Sequence, residues 1–202
     1  MTMKQPAATL DVSGLPTFGF GPASTTWWAT LGLIFIESTV FALGIASYFY
    51  LRGQAPAWPP DSAPPDLLWG SLNTVIMLLS CLPNYLASQA AHRFDLQRVR
   101  LGLVLCLLFS LLFLGGRIGE FGSLNVNWSH NAYGSITWML LGLHTVHLIT
   151  DTFDTLVLTV LFFTGPVESK RYVDVSENGD YWYFVVISWL AIYAVIYWGP
   201  RF

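Results

Sequence analysis

The stretch Gly142–Asp154, GLHTVHLITDTFD, sets two imidazoles and two carboxylates among apolar residues. Histidine and aspartate are the side chains that relay protons, ligate metals and pair with one another. On a helix turning 100° per residue, His147, Asp151 and Asp154 fall at about −60°, −20° and −80° from His144, so all four share one face. Two more acids lie in apolar surroundings. Glu37, in LIFIESTVFALG, is the only charge of its segment, and Glu120, in GGRIGEFG, follows Arg117 by three residues. That spacing brings two charges together on a helix.

Three chemistries fit the face of His144: a polar contact network that orients the helix, a proton-conducting or proton-buffering path, and a metal or haem site. An ionisable group facing lipid costs about 2.5 kcal/mol or more, so the face must turn toward protein or water. Ligation is the hardest of the three to build. His144 and Asp151 are separated by about 10.5 Å of helical rise, too far for one ion to gather the face. His92 and His130 read as loop or interfacial residues, which leaves no facing imidazole for a bis-histidine haem, and the Glu-x-x-His pairs of di-iron bundles do not occur. Arg117 and Glu120 read as an interfacial ion pair. Glu37 either sits in a dry contact or bonds a partner such as one of the histidines. There is no Gly-rich phosphate loop, no nucleophile elbow, no Cys-x-x-C and no charged pore-lining pattern repeated across segments, so the chain offers no complete catalytic set of its own. Cys81 and Cys106 read as buried small hydrophobes without a disulfide.

The elements that must position these groups follow from composition. Of 202 residues, 54% are hydrophobic and only 10% charged, which places the chain in a membrane as one domain. A net charge of −3 without any basic run gives nucleic acid nothing to bind. Five segments approach the ~20 apolar residues that cross a bilayer: Trp27–Leu51, Leu67–Ala90, Leu101–Phe121, Tyr133–Thr164 and Tyr181–Trp198. The fourth is long enough to tilt or protrude. RGQAPAWPPDSAPPD and GPVESKRYVDVSENGD read as connectors, Pro83 as a kink in the second span, and Trp27, Trp28, Trp58, Trp69, Trp128, Trp182 and Trp198 as residues near span ends. Residues 1–25 read as an extramembrane N-terminal arm without the apolar core of a secretory signal, and 26–202 as the membrane domain. Lys4, Arg93, Arg98, Arg100, Lys170 and Arg171 lie on the side of the amino terminus, and Arg52, Arg117 and Arg201 on or near the other. The positive-inside rule then makes the amino terminus cytoplasmic and the carboxyl terminus external. The expected fold is all-α, an integral membrane bundle of five transmembrane helices.

Several stretches in order, FALGIASYFY after Glu37, WPP at 58–60, LNT at 72–74, EF at 120–121, NAYGSITW at 131–138, GLHTVH at 142–147 and the closing YWYFVVISWLAIYAVIYWGPR, resemble subunit III of the haem-copper cytochrome c oxidases, in a short form without the family's first two helices. The resemblance implies a non-catalytic subunit of a terminal oxidase that reduces oxygen to water in a bacterial cytoplasmic (inner) membrane. It implies packing on subunit I with subunit II in the same complex, haem and copper held by those partners, bound phospholipid, support of proton uptake, and cytochrome c or quinol as donor to the complex. It also implies that Glu37, Glu120, His144 and His147, with Asp151 on the same face, belong to the polar interior and hold no metal. Two departures limit what carries over. The family's Ser-Glu is here Glu37-Ser38, turning the carboxylate by about 100°, and its Trp-His-Phe-Val-Asp is Trp182-Tyr183-Phe184-Val185-Val186, without imidazole or carboxylate. The alternatives are an accessory subunit III-like protein of a nitric oxide reductase, an independent proton-conducting membrane protein, and a redox enzyme in its own right.

Overall fold

The computed structural model describes residues 18–60 and 62–202. Most of the expected N-terminal arm lies outside them. Five helices follow: α1 (Thr25–Gln54), α2 (Leu67–His92), α3 (Leu96–Gly122), α4 (Ala132–Thr164) and α5 (Ser169–Tyr193), the last extended by a π turn at Ala194–Trp198 and a 3-10 turn at Gly199–Arg201. All five are long and apolar enough to span a bilayer. α2 packs against α3, α3 against α4, α4 against α5 and α5 back against α2, so these four close a ring, while α1 leans on α4 and α5 from outside.

Local chemistry sets the helix starts. Ser24, Asp95 and Asn131 cap α1, α3 and α4 by accepting the backbone N–H of Trp27, Arg98 and Gly134, which answers donors left over at a helix start. α1 buries a single stripe, Phe41, Gly44 and Tyr48, at helical spacing. A Cβ at Gly44 would stand 2.8 Å from Leu140 Cδ2, so the lack of one lets α1 lie close on α4. At the far end Tyr48, Trp58 and Tyr133 meet edge to face, and this cluster anchors the proline-rich connector.

Three expectations are corrected. α5 begins at Ser169, not Tyr181: the stretch expected as a connector is three amphipathic turns that bury Tyr172, Val173, Val175, Ser176 and Gly179. Trp182 is therefore mid-helix and buried, away from any span end. α3 begins at Leu96, because Asp95 caps it and Val99 is buried, so Arg98 and Arg100 belong to its first turns.

α2 and α5 are joined by a ladder of hydrogen bonds. Ser71 pairs with Tyr193, the Trp189 indole donates to Thr74, the Trp182 indole donates to Ser80, Asn84 donates to the Gly179 carbonyl, and Ser88 pairs with Ser176. Cross-helix bonds of this kind replace water, which the bilayer core lacks.

Candidate functional site

The polar groups of the bundle form two separate sets. In the first, α3 carries Arg117 and Glu120 one turn apart, with their side chains only 2% and 0% exposed. One nitrogen of Arg117 donates to Glu120 Oε2 at 2.8 Å and another to His144 Nδ1 at 2.9 Å. Because a guanidinium only donates, Nδ1 must accept, so the proton of His144 is on Nε2, which donates to the Val185 carbonyl at 3.0 Å. Glu120 is held further by Asn73 Nδ2 at 2.7 Å and by the Tyr197 hydroxyl at 2.6 Å. The guanidinium lies over Trp189 and Phe113, 4.3 and 4.8 Å from the ring centres. Five helical positions on α2, α3, α4 and the last helix thus surround one plus and one minus charge.

The expected interfacial ion pair is sealed inside the protein.

The second set is open. α1, α4 and α5 bound a cleft of about 510 Å³ whose polar lining includes Glu37, Thr150, Asp154, Asp174, Glu177 and Tyr181. Glu37 accepts the Tyr181 hydroxyl at 2.8 Å and lies 3.6 Å from His147 Nε2, so of the two settings open to it, a dry contact or a polar partner, it has the second, with Tyr181 as the hydrogen-bond donor. His147 Nδ1 donates to the Leu143 carbonyl of its own helix. Glu177 accepts from Ser24 and Thr26, both at 2.8 Å, and so places a carboxylate at the amino terminus of α1.

The shared face of α4 therefore divides. His144 turns to α3 and α5, His147 to α1, and Asp154 to the cleft. Asp151 is 1% exposed, and neither of its oxygens has a hydrogen-bond partner among the described residues. Nowhere among the described residues do three His, Cys, Asp or Glu side chains converge as a metal site would need. Cys81 and Cys106 are free thiols. Asn73 and Tyr197 are members of the buried set that sequence did not single out; a lone amide in the apolar run LNTVIMLL was the available signal for Asn73.

The family profile described as cytochrome c oxidase subunit III matches residues 31–200. The chain belongs to that family. This subunit III chain is 25% identical over 175 residues to "Cytochrome c oxidase subunit 3" of Thermostichus vulcanus, covering 84% of the chain and 86% of that protein. It is 31% identical over 181 residues to "Probable cytochrome c oxidase subunit 3" of Mycobacterium bovis, covering 86% and 85%. To "Cytochrome c oxidase subunit 3" of a Synechocystis species it is 26% identical over 165 residues, covering 80% and 70%. Both polar sets lie wholly within the matched residues apart from Ser24 and Thr26 of the cleft rim and Thr30 of its lining. As a subunit III it is one component of a haem-copper oxidase.

Proposed function

We propose that this chain is the non-catalytic subunit III of a terminal oxidase in a bacterial cytoplasmic membrane, packed on subunit I beside subunit II, with haems and copper in those partners and the amino terminus in the cytoplasm. Its work is to keep subunit I intact through turnover and to favour proton delivery to it. The observation that carries this is the family match over residues 31–200. The positive residues add support for orientation: with Arg117 sealed in the bundle, Arg52 and Arg201 are the only cations at the far end of the described helices. The acidic cleft, open at the amino-terminal half, supports a part in gathering protons, since clustered carboxylates and an imidazole hold and release them.

The test is affinity purification of the tagged chain from its native membranes in mild detergent. Subunits are identified by mass spectrometry, and reduced-minus-oxidised spectra and oxygen uptake are recorded on the same sample. Recovery of subunits I and II with haem and oxygen uptake is the expected result. A colourless chain recovered alone from active membranes, or one recovered with nitric oxide reductase subunits, overturns it. Removing the chain from the complex is expected to shorten the time for which oxygen uptake persists during turnover.

A further inference from the structure

Buried aromatic side chains in this bundle find partners for their polar atoms, and the exceptions gather in one place. The indoles of Trp138, Trp182 and Trp189 donate to the Val126 carbonyl, Ser80 and Thr74, and the hydroxyls of Tyr181, Tyr193 and Tyr197 meet Glu37, Ser71 and Glu120. Among the described residues, the tyrosine and tryptophan atoms buried without a partner are the hydroxyls of Tyr48 and Tyr133 and Nε1 of Trp58. They belong to the far-end cluster, whose ring centres lie 5.3 Å (Tyr48 to Trp58), 5.1 Å (Trp58 to Tyr133) and 6.4 Å (Tyr48 to Tyr133) apart.

A fourth group joins them. Of the seven threonines on α4, five donate to the carbonyl four residues back, and Thr155 accepts from Asn178. Thr137, one turn after Tyr133 and 0% exposed, does neither. Its hydroxyl faces that of Tyr133, and Nε1 of Trp58 faces the Tyr48 hydroxyl, each pair outside hydrogen-bond geometry. Gly199 closes the knot from the last helix, where a Cβ would stand 2.9 Å from the Tyr48 hydroxyl oxygen.

The chemistry of the four groups selects what they hold. An indole N–H only donates, whereas a hydroxyl both donates and accepts. None of the four atoms reaches the surface, so each would carry the cost of an unmade bond. All four side chains are neutral, which favours a neutral occupant over an ion. A small molecule that accepts from the indole and one hydroxyl and donates to the other two satisfies the set, and water has that valence.

We propose that Tyr48, Trp58, Tyr133 and Thr137 enclose one ordered water molecule, which ties α1 and the proline-rich connector to α4. The site makes no use of the oxidase assignment, so the two stand or fall separately.

The test is radiolytic labelling of the purified complex. Brief X-ray exposure makes hydroxyl radicals from water wherever it lies, and oxidised residues are then mapped by peptide mass spectrometry. Oxidation of Tyr48 and Tyr133 is expected about tenfold above that of Tyr197, which is equally buried but bonded to Glu120. Tyr48→Phe with Thr137→Val removes two of the four groups and is expected to bring Tyr133 down to the level of Tyr197. A high-resolution density map of the unsubstituted complex, which needs no variant, is expected to show one peak among the four groups. Oxidation of Tyr133 no greater than that of Tyr197, or indifferent to the double substitution, overturns the proposal. So does a map in which Trp58 bonds directly to Tyr48 and Thr137 to Tyr133 with no peak among them, or a peak that scatters as bromide once chloride is exchanged for it.

Discussion

The arginine set and the acidic cleft use the same side-chain types to opposite ends. Around Arg117 every charge has an opposite partner at hydrogen-bond distance and no access to the surface. Around Glu37 the carboxylates outnumber the cations, Asp154 faces open space, and the one imidazole lies at 3.6 Å. The scaffold differs in parallel. Only 11% of the apolar window of α1 is buried, against 56% for the last helix. A charge set enclosed by a closed ring of helices is a structural fastener, because its geometry is fixed from all sides. One bordered by a peripheral helix keeps room for protons or lipid to exchange.

The two sets should respond differently to substitution. Arg117→Met leaves Glu120 charged or unsatisfied in a dry interior, and a loss of about 3 to 5 kcal/mol is expected, read as a lowered thermal midpoint in detergent and poor recovery with the complex. Arg117→Met with Glu120→Leu should regain much of it; no recovery in the double variant would mean that the pair does more than neutralise itself. His144→Phe removes an acceptor from Arg117 and the donor to Val185, at a cost of about 2 kcal/mol by the same measurement. Asp151→Leu has the opposite sign. A buried carboxyl without a hydrogen bond is replaced by an apolar group, so stability is expected to rise by about 1 kcal/mol, and a fall would reveal a partner for Asp151 in the assembled complex. The smallest effect is expected for Glu37→Gln, which keeps an oxygen for the Tyr181 hydroxyl and should shift stability by less than about 0.5 kcal/mol. Its readout is proton uptake and oxygen consumption by the complex, where a cleft that handles protons predicts a change and an inert cleft does not.

Five spans were legible from hydropathy and the pairing of Arg117 with Glu120 from its spacing, and a histidine was among the settings open to Glu37, because each rests on a period of the helix or on a single unmatched charge. The burial of the arginine pair was not. A pair within five residues of a span end looks interfacial until α2 supplies Asn73 and the last helix supplies Tyr197 and Trp189, and tertiary neighbours of that kind leave no trace in local spacing. The start of α5 was obscured by its charges and turn formers. Yet Tyr172, Val175, Ser176 and Gly179 recur at intervals of three and four, and that period was there to be read. The division of the α4 face had no such signal. A common angle on a wheel says that His144 and His147 point inward, and the arrangement of three surrounding helices decides to which neighbour each one turns.

The ladder between α2 and α5 also imposes a timing on biosynthesis. Its α2 partners, Ser71, Thr74, Ser80, Asn84 and Ser88, enter the membrane first, whereas the groups that meet them are at positions 176–193, translated about a hundred residues later. Until α5 arrives, α2 presents a row of hydroxyls and an amide without their cross-helix partners to lipid or to the insertion machinery; Thr74 and Ser80 meanwhile donate to carbonyls of their own helix. A nascent chain stalled before α5 thus exposes a surface that quality control can recognise, and insertion of α5 is the event that hides it.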